Sequence, residues 1–165
     1  MKSLVIVAVV AALAAPALAV SHVAAVPGTS ATAKPQNVMY GHIKAMTRKG
    51  RRFEIKFDPA WWLTGVAAQH AHLEDEGSRE VPNDYYIVEE GHRLLTFAVL
   101  PSARVTVLTG GGPQRTRVSA AELARIVNGR NPTHRRLSEP RAGFWIRIGD
   151  KYPNPAVTLD QQYQP

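Results

Sequence analysis

Between Arg52 and Phe57 the chain alternates without a fault: Phe53, Ile55 and Phe57 fall on one side, Glu54 and Lys56 on the other. Successive side chains of a strand point to opposite faces, so this stretch is a half-buried antiparallel strand. The same period returns near the C-terminus, where Phe144, Ile146 and Ile148 alternate with Trp145 and Arg147. A period of two does not suit a helix. Strands that follow one another through short connections favour antiparallel pairing, with helices closing one side or end.

Val38 to Thr47 predicts a strand paired with Arg52 to Phe57 through a turn at Arg48-Lys49-Gly50-Arg51, where Gly50 can take a positive φ. Asp58-Pro59 predicts a change to helix, because Asp caps helices and Pro suits the first helical position. Thr64-Gly65 offers a second cap, and the helix is expected to reach about Asp75 with Trp62, Val66 and Leu73 facing the sheet. After the turn at Pro82-Asn83-Asp84, three short strands are expected: Tyr85 to Glu89, Leu94 to Leu100 and Arg104 to Thr109. Pro101-Ser102 separates the last two, and Gly110 to Pro113 ends the run in a mobile loop. Ser119 and Glu122 form a capping box, with Val118 and Leu123 at its hydrophobic staple and Gly129 placed to stop the helix. A polar loop, the Phe144 strand and a last strand from Ala156 to Gln162 complete the order β-β-α-β-β-β-α-β-β. The expected fold is α+β: a small curved antiparallel sheet or partly open β-barrel of about six to seven strands with two helices.

Lys2, the apolar run Leu4 to Ala15, Pro16 and Ala17-Leu18-Ala19 have the three-part layout of a secretory signal peptide over residues 1–19. The competing reading is an uncleaved anchor, but Pro16 interrupts a stretch that is already at the lower limit for spanning. Residues 20–36 are small, polar and twice interrupted by Pro, which predicts a flexible spacer ahead of one domain over 37–165. The chain contains no Cys. Lipid attachment at an N-terminal Cys, disulfides, thiol chemistry and Cys-ligated zinc are thereby excluded. A chain near 150 residues can bury about 70% of its unfolded surface, so a core alone can hold it.

Chemistry-bearing patterns are sparse. His70-Ala71-His72 precedes Leu73-Glu74-Asp75-Glu76, but residues two apart on a helix point about 200° apart, so the two His cannot join at one metal. No Gly-x-Ser-x-Gly elbow occurs, and Gly110-Gly111-Gly112 lacks the Gly-Lys-Ser/Thr ending of a phosphate loop. Asp58, Asp84, Asp150 and Asp160 mostly neighbour Pro, Gly or Asn, where Asp serves turns. No catalytic residue, cofactor or metal ligand is assigned. The formal charge is +7, from 20 Lys+Arg against 13 Asp+Glu. It is concentrated at Arg48, Lys49, Arg51 and Arg52, and again at Arg130, Arg135, Arg136 and Arg141. If these loops adjoin, they form a cationic patch, with Arg48, Lys49, Arg51 and Arg52 as the candidate contact for an anionic envelope polymer or surface. Nucleic acid is the less expected partner of an exported chain, and the plainer reading is that charged turns keep hairpins soluble. Tyr85, Tyr86, Trp61, Trp62 and Trp145 could line a ligand groove. Aromatics are more often core, but Trp145 stands on the polar side of its strand.

Three segments taken together resemble an uncharacterised bacterial extracytoplasmic family of secreted proteins and lipoproteins. They are F-D-P-A-W-W-L-T-G-V-A-A from Phe57 to Ala68, with the acidic Leu73 to Gly77 behind it, V-P-N-D-Y-Y-I from Val81 to Ile87, and the closing Gln162-Tyr163-Gln164-Pro165. The resemblance spans about Tyr40 to Pro165 and implies an exported globular domain; it carries no activity and no functional residue. The chain departs from the lipoprotein members in having no Cys, and from the E-D-G spacing by the extra Glu76. The function expected is a non-catalytic secreted domain that binds an envelope component, a partner protein or a small ligand. The alternative is a secreted hydrolase or metal-dependent enzyme whose site gathers scattered His and carboxylates.

Overall fold

The computed structural model describes residues 37–89, 91, 93–138 and 142–165. The expected signal peptide (1–19), the expected spacer (20–36) and Arg141 therefore lie outside the described residues. The strands are β1 (Val38–Lys49), β2 (Arg52–Thr64), β3 (Tyr85–Val88), β4 (Leu95–Thr109), β5 (Gln114–Val118), β6 (Phe144–Ile148) and β7 (Ala156–Gln161). Helix α1 (Gly65–Glu76) follows β2, and α2 (Ala120–Val127) stands between β5 and β6.

Five of these strands close on themselves. β1 pairs with β2, β2 with β4, β4 with β7, β7 with β6, and β6 returns to β1. All of these pairs are antiparallel except β4–β7. A closed ring with an odd number of strands cannot alternate direction throughout, so one parallel pair is a topological necessity. β3 extends β2 beyond the ring and β5 extends β4. Numbered around the barrel alone, the strands run 1-2-3-5-4 with a helix between the third and fourth. That is the connectivity of the OB-fold, a small Greek-key barrel.

The barrel interior is filled as the alternation requires. Phe53, Ile55 and Phe57 are buried with Met46, Val99, Val105, Val107, Ile146 and Leu159. α2 adds Ala120, Leu123, Ala124 and Ile126 to the same cluster. Its entry is held by Ser119, whose Oγ accepts from the Glu122 N–H at 3.1 Å. The Glu122 carboxylate turns away to Arg135 (3.3 Å) and to the Thr133 hydroxyl (3.1 Å), tying the following loop to the helix.

Three expectations are corrected. Asp58-Pro59 does not start a helix; β2 runs through it to Thr64, and Trp62 is a strand residue. On one side of β2, pairing with β4 covers Phe53 to Phe57 and pairing with β3 starts at Trp61. Pro59 falls in the gap, where no ladder bond is lost on that side for want of an N–H. Likewise, the two strands expected on either side of Pro101-Ser102 are one, because β4 leaves β2 after Val99 and pairs with β7 again from Arg104. Third, α1 turns Ala68 inward, whereas Val66 is 69% exposed.

β5 was not expected as a strand: Gln114-Arg115-Thr116-Arg117 carries almost no apolar signal, yet it pairs in register with Thr109 to Val105. The order β-β-α-β-β-β-α-β-β thus holds, with the merged β4 and the added β5 exchanging places in it. The glycine loop before β5 is pinned rather than mobile. The Gly110 N–H donates to the Arg136 carbonyl at 2.8 Å, and the Gly111 N–H to Ser138 Oγ at 3.0 Å.

Candidate functional site

The alternation that sends Phe144 and Ile146 into the barrel leaves Trp145 on its outside. Directly across the ladder from Trp145 stands Tyr40, whose other neighbour in register is Ala60. Two residues further along β2, Trp62 projects to the same side. Tyr40 meets Trp62 edge to face at 5.0 Å between centroids, and Trp145 is tilted against both rings, 5.1 Å from Tyr40 and 6.1 Å from Trp62. Tyr85 of β3 stacks on Trp62 at 4.1 Å with planes 16° apart. These separations suit favourable aromatic pairing.

The cluster borders a cleft of about 400 Å³ lined by Tyr40, Trp61, Trp62 and Trp145, with Val38, Met39, Pro59 and Ala60. Trp61 is 58% exposed and forms its open lip, while Tyr40 is buried at its base with 3% exposure. A concave, largely apolar space of a few hundred cubic ångströms edged by a few polar groups is the usual form of a small-ligand site.

The polar groups come from the chain terminus and from β1. Gln164 Nε2 donates to the Tyr40 hydroxyl at 2.8 Å, and Trp145 Nε1 donates to Gln162 Oε1 at 3.1 Å. Gln162 is itself anchored by its N–H to the Gly143 carbonyl at 2.8 Å. Burial pushes the Tyr40 phenol up to about 12 despite the opposing hydrogen bond from Gln164. The phenol is therefore neutral across the physiological range. Two glycines make room for this arrangement. A Cβ on Gly143 would strike the Tyr40 ring, and one on Gly41 would strike the Asp58 carbonyl and the Phe57 ring. Beside the cleft, His42 Nε2 lies 2.7 Å from Glu89 and Lys44 Nζ lies 3.0 Å from Asp58.

The other sequence candidates are dispersed. Tyr86 faces α1, where its hydroxyl donates to Asp75 at 3.0 Å. His72 Nδ1 lies 2.7 Å from the Ser78 carbonyl, and His70 is exposed. Among the described residues, no group of three or more His, Asp or Glu is arranged to hold a metal ion. Asp58 and Asp160 are not turn residues: both stand in strands, with Asp160 accepting from the Thr106 hydroxyl at 2.7 Å and Arg104 at 3.2 Å. Lys49, Arg51 and Arg52 are exposed at the tip of the β1–β2 hairpin, and Arg48 lies just behind them.

Sequence reasoning singled out Trp61, Trp62, Tyr85 and Trp145 as possible groove residues but missed Tyr40. The available signal was its place in an expected strand next to Gly41, a residue without a side chain beside a large ring. No helix among the described residues is long and apolar enough to cross a membrane. No protein-family model, curated protein or solved structure matches the chain. The fold and the cleft therefore define a class only: a cysteine-free α+β barrel domain with an aromatic cleft on its outer wall. Barrels of this connectivity carry many unrelated functions, so the site has to argue the function.

Proposed function

We propose that the chain is an exported, non-catalytic binding domain that takes a small ring-bearing ligand, or a ring-bearing unit of an envelope component, in the aromatic cleft. The observation that carries this reading is the placing of Trp61, Trp62, Trp145 and Tyr40 around one open space outside the core. Indole and phenol faces offer flat apolar area, and the Gln162 and Gln164 amides hold Trp145 and Tyr40 in place. The apolar C–H face of a saccharide ring complements such faces. A further support is that the segments resembling the extracytoplasmic family meet here. Pro59 to Trp62 line the cleft, Tyr85 backs Trp62, and the Gln162 to Pro165 tail bonds Trp145 and Tyr40.

The enzyme alternative has less support. His42 Nε2 is held against the Glu89 carboxylate and Asp58 is paired with Lys44. The basic hairpin supports a separate reading of the partner, an anionic envelope polymer or surface, because Arg48 shares a second cleft with Arg125 and Arg130.

Tryptophan fluorescence of the full chain, titrated with a panel of mono- and disaccharides that includes N-acetylated ones, tests the aromatic cleft. At least one sugar should quench saturably, and Trp61→Ala should weaken that binding by about tenfold or more, as loss of a central aromatic contact does. Because Trp61 is exposed, the variant's melting temperature should stay near that of the parent. Saturable quenching by no member of the panel, or quenching that persists in both Trp61→Ala and Trp145→Ala, overturns the reading.

A further inference from the structure

One residue from each basic cluster of the sequence, Arg48 and Arg130, lines the same cleft, and α2 adds Arg125 to them. A cleft of about 500 Å³ opens between the β1–β2 hairpin and α2, with Arg48, Arg125 and Arg130 on its walls and Phe53, Ala124 and Asn128 among its lining. Arg48 comes from the end of β1, where its Nε donates to the Gly50 carbonyl at 3.1 Å. Arg125 stands in the last turn of α2. Arg130 is brought beside it by the way the helix ends. Gly129 takes φ 78°, its N–H donates to the Ile126 carbonyl at 2.9 Å, and the Arg130 N–H donates to the Arg125 carbonyl at 2.8 Å. These are the two bonds of a Schellman motif.

The same ending lowers an obstacle to anion binding. Bare carbonyls at a helix C-terminus repel negative charge. Here the Arg125 and Ile126 carbonyls are taken by the Schellman bonds, and the Ala124 carbonyl accepts from both the N–H and the Nδ2 of Asn128. Asn128 Nδ2 also reaches the Met46 carbonyl at 2.9 Å, fixing the helix end to β1. Among the described residues no carboxylate lines the cleft. Glu122, the acid carried by α2, is engaged with Arg135 and Thr133. The other described basic residues of the second cluster are placed elsewhere: Arg135 pairs with Glu122, and the Arg136 guanidinium lies beside Gly111.

We propose that this cleft is a binding site for a phosphate-bearing group. Guanidinium forks match phosphate oxygens two at a time, and three of them with no facing acid favour a multiply charged anion. The inference rests on the anionic-partner reading and narrows it from the whole hairpin to three arginines; it is independent of the aromatic cleft. The phosphate can belong to a soluble compound or polymer, or to a lipid headgroup.

Pyrophosphate titrated into the full chain at constant ionic strength, read by calorimetry, tests the site. Saturable binding is expected, weaker by about tenfold or more in R48Q/R125Q/R130Q and changed less than about twofold in K49Q/R51Q/R52Q or in R115Q/R117Q/K151Q, which remove the same charge elsewhere. The single variants Arg125→Gln and Arg130→Gln keep the test sound should the first triple variant fold poorly. Cosedimentation with phosphatidylcholine vesicles containing phosphatidylglycerol separates the sources. Vesicle binding displaced by pyrophosphate assigns a headgroup, and pyrophosphate binding without vesicle binding assigns a soluble phosphate; both uphold the site. Equal losses in all three triple variants, or no saturable pyrophosphate binding, overturn it. If only K49Q/R51Q/R52Q releases the chain from immobilised polyphosphate, the anionic-partner reading survives and the cleft assignment falls.

Discussion

The two ends of β1 show opposite solutions to the same packing problem. At the far end, Met46 meets Phe53 and the buried face of α2, and the side chains interlock into the barrel core with Leu123 fully enclosed. At the near end, Tyr40 meets Trp62 and Trp145, yet Trp61 stays 58% exposed and an apolar cleft remains. Tyr40 and Arg48 stand eight residues apart, about 25 Å along an extended strand. The difference lies in what covers each end. A helix with a continuous apolar stripe encloses the side chains beneath it and leaves only a basic cleft at its rim. The polar Gln162 to Pro165 segment instead fastens the rings from one side by hydrogen bonds and leaves the aromatic faces themselves open. The first arrangement presents charge to a ligand, the second apolar surface.

The largest effect that would sharpen this contrast is at the helix end. Leu123→Ala removes a fully enclosed side chain and should cost about 2–5 kcal/mol, the range for cavity-forming core truncations. Chemical denaturation measures it, and ligand quenching at the aromatic end should persist wherever the variant is still folded. A cost as small as that of an exposed site would break the comparison, since α2 would then not be what closes the barrel.

Gly143→Ala should come next. Its Cβ would drive into the Tyr40 ring, so the cost of overpacking is expected at about 1–3 kcal/mol. Unlike Leu123→Ala, it should also abolish quenching in the folded protein, because Tyr40 is the base of the cleft. Unchanged binding would show that the base need not be held in place.

The smallest effect at neutral pH, at Tyr40, has its distinguishing signature in alkali. The folded Tyr40 phenol keeps its proton to about 12 instead of the ordinary 10.0. The native state thus retains a proton that the unfolded chain gives up. This contribution is whole below pH 10 and is lost as pH rises towards 12. Tyr40→Phe should flatten the fall in melting temperature over that window, while costing about 1 kcal/mol at neutral pH for the lost hydrogen bond with Gln164. An identical alkaline slope in the variant would show that other groups govern the transition.

Much of the barrel was legible in local pattern. The alternation at Phe53 to Phe57 and at Phe144 to Ile148, and the Ser119 cap with its Leu123 stripe, are decided by side-chain period and by orphan amides within a few residues. They hold in the fold as read. Trp145 could also be picked out, because its neighbours claim the inside. Arg125 could not, because a lone Arg on a helix says nothing of the hairpin that approaches it.

What only the tertiary structure decided is which neighbour each strand has at each point along its length. Pro59 and Pro101 carry the local signature of a break, and that signature is chemically sound: neither can donate to a ladder. In a closed barrel, however, a long strand exchanges one partner for another along one side, and at the exchange some positions lack a partner on that side. β2 passes from β4 to β3 across Pro59, and β4 passes from β2 to β5 across Pro101 while its ladder with β7 shifts register there. The same closure gives the polar β5 a place on β4 and brings Tyr40 of β1, Trp62 of β2 and Trp145 of β6 to one wall. Period and capping act over a few residues and are written in the sequence. The site joins residues more than a hundred positions apart, and only the ring of pairings sets that distance.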